Sequence, residues 1–185
     1  QVDLDDVGRY KAFELLTNFV AEFPHYQKAV YLYGDFGVGK SYMMAALAHD
    51  LSEKRSVSTT LLHYPSFVLD VKNAISSGLV KEKIDQVKTA QVLILDDIGA
   101  EQSSPWMRDE ILQVILQHRM QENLPTFFTS NFSFADLERH FANSKNWLAL
   151  GGAVFPGSRL QVLEHEEYRK FKNICNTREI TLKYW

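Results

Sequence analysis

The sequence predicts an α/β fold: a parallel sheet of about five strands with helices on both faces, three layers in all. Three observations carry this reading. Short runs of apolar and β-branched residues recur at Val30 to Tyr33, Thr59 to His63, Val92 to Leu95 and Thr126 to Ser130, each with the length and composition of a buried strand. Helical spacing fills the intervals, over Ser41 to Glu53, Ser66 to Ser76, Lys81 to Lys88 and Trp106 to Gln121. This alternation implies parallel strands joined by helical crossovers. Finally, a glycine-rich turn inside "YLYGDFGVGKSYMM" sits directly between the first strand and the helix after it, a junction typical of parallel α/β sheets.

Taken in order, residues 1–28 form an N-terminal helix and linker. Tyr10, Phe13, Leu16, Phe19, Val20 and Phe23 recur near helical spacing, and Pro24 ends the pattern. Residues 29–141 hold the strand and helix alternation and form the core. Residues 142–185 form a divergent tail, broken into turns by Gly151, Gly152, Pro156 and Gly157. There Leu160, Leu163, Phe171 and Ile174 share one face of an expected helix, and Ile180, Leu182 and Tyr184 alternate as in an edge strand.

Composition narrows the classes. With 185 residues and 45% hydrophobic content the chain can bury one core, and no apolar run is long enough for a membrane-crossing helix. It opens on Gln1 without a cationic, apolar leader, so the expectation is a piece of a longer protein that is not secreted. The single cysteine, Cys175, excludes a disulfide framework or a cysteine-rich zinc site within it, and fits a reducing, cytoplasmic setting. A net charge of -3 requires that any nucleic acid be held by a local basic strip or within an assembly.

Gly34, Gly37, Gly39, Lys40 and Ser41 stand in the complete G-x-x-x-x-G-K-[ST] spacing. Glycines let a loop turn its N–H groups inward, and the following helix adds the positive end of its dipole, which makes a site for a polyphosphate. The segment Gly34, Asp35, Phe36, Gly37, Val38, Gly39, Lys40, Ser41 and Tyr42 is expected to wrap the phosphates of ATP. Lys40 would reach the β and γ phosphates, and the Ser41 hydroxyl would ligate Mg²⁺.

The stretch "VLILDDIG" ends an apolar strand on Asp96 and Asp97. Parallel strands align their C-terminal ends along one sheet edge, which puts these acids beside the phosphate loop. Asp96 is the expected Mg²⁺ ligand and Asp97 the group that orients or deprotonates the attacking water, with a shorter arm than a glutamate. "TFFTSN" brings Asn131 to the same edge, where its amide could report the γ phosphate. An asparagine after a strand is otherwise an ordinary turn residue.

Together these elements resemble an AAA+ ATPase. More narrowly, "YLYGDFGVGKS", "VLILDDIGAE", "RDEILQVILQHRM" and "PTFFTSNFSFADLERHF" resemble the bacterial replicative helicase loader family of DnaC and DnaI, nearest its DnaI primosomal branch, from Gln1 to about Phe141. The resemblance implies ATP- and Mg²⁺-dependent loading of the hexameric helicase onto single-stranded DNA, with other primosome proteins and neighbouring copies as partners. It also implies a separate N-terminal helicase-binding domain, absent from this chain. Carried over by position, the phosphate-loop role falls to Gly34 through Ser41, the acidic-strand role to Asp96 and Asp97, and the sensor role, with a part in catalysis alongside Lys40, to Asn131. The family's paired arginines have no counterpart in the expected surroundings among Arg159, Arg169 and Arg178; Arg159, in "FPGSRL", is the candidate finger.

Other features count for less. The six histidines do not pair at metal-ligand spacing and read as surface or packing residues. Trp106, Met107 and the Ile111 to Leu116 cluster read as helix core, and Lys72, Lys81, Lys83 and Lys88 as solvated helix lysines or a DNA path. An IstB-like transposition helper shares the core, but "YLYG" and "DDIGAE" favour the loader. A small-molecule kinase would need an arginine-bearing lid, for which no segment is a candidate.

Overall fold

The computed structural model describes residues 7–25, 30–101, 104–133, 136–137, 139 and 180–181. Its elements run α1 (Val7–Glu22), β1 (Val30–Tyr33), α2 (Lys40–Arg55), β2 (Thr59–His63), α3 (Tyr64–Ala74), α4 (Val80–Lys88) and β3 (Val92–Asp96). A π-helical segment (Met107–Leu112) then leads into α5 (Gln113–Gln121), followed by β4 (Thr126–Ser130) and β5 (Ile180–Thr181). The sheet is parallel in the order β2-β3-β4-β1-β5, so β1, the strand before the phosphate loop, lies beside β4 and not β2.

Strand alternation builds two cores. Val92 and Ile94 of β3, Phe127 of β4 and Leu32 of β1 pack with α1 and α2 on one face. Leu93, Leu95 and Phe128 pack with α3, α4 and α5 on the other. β3 and β4 are buried on both faces: β3 is accordingly apolar from Val92 to Leu95, whereas β4 buries Thr126, Thr129 and Ser130 beside Phe127 and Phe128.

Three expectations need correction. Tyr10 and Phe13 do not belong to the inward stripe of α1: they are 45% and 47% exposed, while Ala12, Leu16, Phe19 and Val20 are buried. Those four recur at i, i+4, i+7 and i+8, the phase of a single helical stripe, which Tyr10 and Phe13 flank. Helix α3 begins at Tyr64, ahead of the expected Ser66, because Pro65 is pre-set for the first helical turn. The helix expected over Trp106 to Gln121 is π-wound at Met107–Leu112, where Arg108 is buried and ion-paired with the adjacent Asp109. The core assignment of Ile111, Leu112, Ile115 and Leu116 holds, and Val114 points outward. The tail helix with Leu160 and Leu163, and Cys175 and Arg159 with it, lies outside the described residues.

A candidate nucleotide site at the carboxyl ends of the strands

The turn from β1 into α2 takes its shape from glycine. Gly37 and Gly39 have φ of 82° and 92°, the left-handed region that a side chain rarely tolerates. A Cβ at Gly37 would meet nothing within 4 Å, so backbone conformation alone demands glycine there. Helix α2 starts at Lys40 with Met43 N–H donating to Gly39 O at 3.0 Å, which leaves its first N–H groups free of intrahelical partners.

Lys40 folds back over this loop. Its Nζ donates to Gly34 O and Asp35 O, both at 2.9 Å, and to Asn131 Oδ1 at 2.8 Å. All three acceptors are neutral oxygens, so the ammonium keeps its charge available to an anion. Burial pushes Lys40 below the ordinary lysine value, with Asp97, Asp96 and Asp35 acting against the shift.

Ser41 Oγ donates to the Asp96 carboxylate, 2.9 Å from each oxygen. A hydroxyl and a carboxylate converging in this way form the hard-oxygen donor set that Mg²⁺ selects. Asp97 follows with φ of 62°, a conformation that aspartate tolerates better than most residues and that turns the chain sharply at the end of β3. Asn131 joins the two halves: its amide nitrogen donates to Asp97 Oδ1 at 3.2 Å while its oxygen accepts from Lys40. Thus Lys40, Ser41, Asp96, Asp97 and Asn131 all meet at one sheet edge. Phe36 and Tyr42, by contrast, project outward at 93% and 75% exposure.

Several contributors were not singled out from sequence. Thr129 Oγ1 donates to Asp96 Oδ1 at 2.6 Å and accepts the Asp97 N–H at 2.8 Å, so one hydroxyl fixes both acids. Ser130 Oγ similarly donates to Ile98 O at 2.6 Å. A signal was present, since hydroxyls in a strand buried along its whole length need partners. Tyr31 Oη donates to Phe132 O at 2.8 Å and anchors the chain just beyond Asn131. Glu101 is buried and accepts the Gly99 N–H at 2.8 Å, while its Oε1 has no partner among the described residues. Burial holds its carboxyl above the ordinary range, and Asp97 adds to the shift. His63, read from sequence as a surface or packing residue, lies here with Nε2 4.0 Å from Asp97 Oδ2.

Comparison with known proteins places the chain in a family. The family model for IstB-like ATP binding proteins matches residues 14–172. A crystal structure of DnaI is 38% identical with a TM-score of 0.74, covering 98% of this chain and 87% of that one. The chain belongs to this ATP-binding family, on its DnaI helicase-loader branch. The replicative helicase loader DnaI of Bacillus subtilis (strain 168) is 46% identical over 147 residues, which is 78% of this chain and 47% of that protein. A structure of a candidate primosome component from Streptococcus pyogenes serotype M3 is 55% identical with a TM-score of 0.69, covering 83% of this chain and 80% of that one. The chain therefore spans about half the length of the curated loader. The fold is that of AAA+ P-loop proteins, and no helix among the described residues is long and apolar enough to cross a membrane.

Proposed function

We propose that this chain is the ATPase domain of a primosomal helicase loader, which couples ATP binding and hydrolysis to placing the replicative hexameric helicase on single-stranded DNA in the bacterial cytoplasm. The observation that carries the ATPase reading is the hydrogen-bonded run Lys40–Asn131–Asp97 beside the Ser41–Asp96 pair. Kinship with DnaI supports the loading role. Other primosome proteins and further copies of the chain are the remaining partners in this reading.

In this mechanism Lys40 exchanges its neutral acceptors for the β and γ phosphates, while the loop N–H groups and the α2 dipole hold the rest of the polyphosphate. Ser41 and Asp96 would hold Mg²⁺, which when bound would supply positive charge against the phosphate oxygens. Asp97 orients the attacking water and accepts its proton, and Asn131, once Lys40 turns to phosphate, offers its amide to the γ phosphate or that water. A transposition helper is the second reading, favoured by the IstB-like description of the matching family. Capture experiments with the full-length protein decide between them: retention of replicative helicase is expected, and retention of a transposase instead would overturn the loader reading. Calorimetry tests the site itself. Lys40→Ala should lose tight ATP–Mg²⁺ binding, and unchanged affinity would remove the loop from the argument.

A further inference from the structure

We propose that Tyr31 is a positioning residue for Asn131: its hydroxyl, reaching across from β1, holds the chain just past β4 so that the Asn131 amide stays between Lys40 and Asp97. The inference rests on the role given to Asn131 above. The paired register of β1 and β4 ends with Tyr33 opposite Ser130, one residue short of Asn131. Gly34 N–H adds a bond to Ser130 O at 3.3 Å, and past it side chains do the holding. Tyr31 Oη donates to Phe132 O at 2.8 Å, while Ser130 Oγ accepts the Phe132 N–H at 3.1 Å and donates to Ile98 O at 2.6 Å. Both polar backbone groups of the residue after Asn131 are thus gripped. The Phe132 ring adds a third restraint, since a Cβ at Gly99 would come 2.8 Å from its Cδ2: the ring lies against the turn that follows Asp97.

These restraints are not equivalent. Ser130 and the Gly99 contact tie Asn131 to the acids' side of the site, whereas Tyr31 ties it to the strand that runs into the phosphate loop, three residues before Gly34. Asn131 has to serve both sides at once. Its Oδ1 accepts from Lys40 at 2.8 Å and its Nδ2 donates to Asp97 Oδ1 at 3.2 Å, so a swing of the chain at this point gives up one bond or the other. The Tyr31 ring packs on the apolar cluster that contains Leu93, Leu95 and Phe128 and lies 6.0 Å from the Tyr33 ring, which fixes where its hydroxyl can reach. Phenylalanine would keep that packing and leave the Phe132 carbonyl without this donor.

The test uses the full-length protein and a double-mutant cycle read by single-turnover ATP hydrolysis and by nucleotide affinity. Tyr31→Phe should slow turnover about fivefold, the value of one neutral hydrogen bond, with affinity unchanged. In the Asn131→Ala background, Tyr31→Phe should add nothing. Nitrogen-15 relaxation of the Asn131 side-chain amide in the nucleotide-free protein should show greater mobility in Tyr31→Phe than in the parent. Normal turnover in Tyr31→Phe with slow turnover in Asn131→Ala would overturn this proposal alone. So would equal losses from Tyr31→Phe in both backgrounds, an Asn131 amide as rigid as in the parent, or a loss of ATP affinity matching the loss of turnover, which would put the effect in the phosphate loop. Normal turnover in Asn131→Ala would overturn the Asn131 reading and this proposal together.

Discussion

Single side chains in this site differ in how far ahead of the structure they could be read. Lys40 and Ser41 were legible because one loop supplies every residue that defines them. Asp96, Asp97 and Asn131 needed only the rule that parallel strands end along one edge. Thr129 was not legible, because its contacts with Asp96 and Asp97 depend on β4 pairing with β3 in one register. Thr129→Val keeps the shape and removes the bridging hydroxyl, leaving Asp96 and the Asp97 N–H each one partner short. A loss of about 1–3 kcal/mol is expected in denaturant unfolding, with weaker Mg²⁺ dependence of nucleotide binding. Glu101 gives a pH prediction. Its folded carboxyl holds the proton more tightly than the unfolded one, so stability falls as pH rises from the ordinary carboxylate value, about 4.3, to the raised folded value. Above that window the buried charge is a constant cost. Glu101→Gln should flatten this fall when unfolding midpoints are compared across the window, and an unchanged slope would mean that Glu101 is not its source.

At the scale of elements, the helices and strands were legible wherever one periodicity ran uninterrupted, as in β1, β2 and β4. The errors came where two demands competed, as with Pro65 drawing α3 two residues earlier. Arg119, in the last turn of α5, is fully buried. Its Nη1 donates to Ala90 O at 2.6 Å and Lys88 O at 3.2 Å, Nη2 to Pro125 O at 2.7 Å, and Nε to Thr126 Oγ1 at 2.9 Å. This guanidinium ties the end of α4 and the entry to β3 to the start of β4, on the edge opposite the nucleotide site. Burial lowers its pKa to about 10, which still leaves it charged at neutral pH. Arg119→Ala strands several buried carbonyls and should destabilise the domain by about 3 kcal/mol, measured as a lower denaturant midpoint. Nucleotide affinity of the folded fraction should be unchanged, since no site residue touches Arg119.

For the whole molecule, the α/β class, the parallel sheet and the loader kinship were all legible, whereas the tail's contribution was not, because its arginines lack the family's surroundings. An arginine supplied by a neighbour can be worth about 10³ or more in rate. Hydrolysis by this chain alone should therefore be slow, with specific activity nearly flat across a concentration series. A steep rise abolished by Arg159→Ala would identify Arg159 as the finger, and one retained in that variant would point to another residue. The strand order has a further consequence, for the growing polypeptide. Because β1 pairs with β4, Val30 opposite Phe127, the turn after β1 is made well before β4 and has no sheet neighbour until the segment ending at Ser130 has emerged. Nascent chains halted before that point should be unable to retain ATP, and the Lys40 segment will depend on whatever shields unpaired strands near the ribosome until β4 arrives.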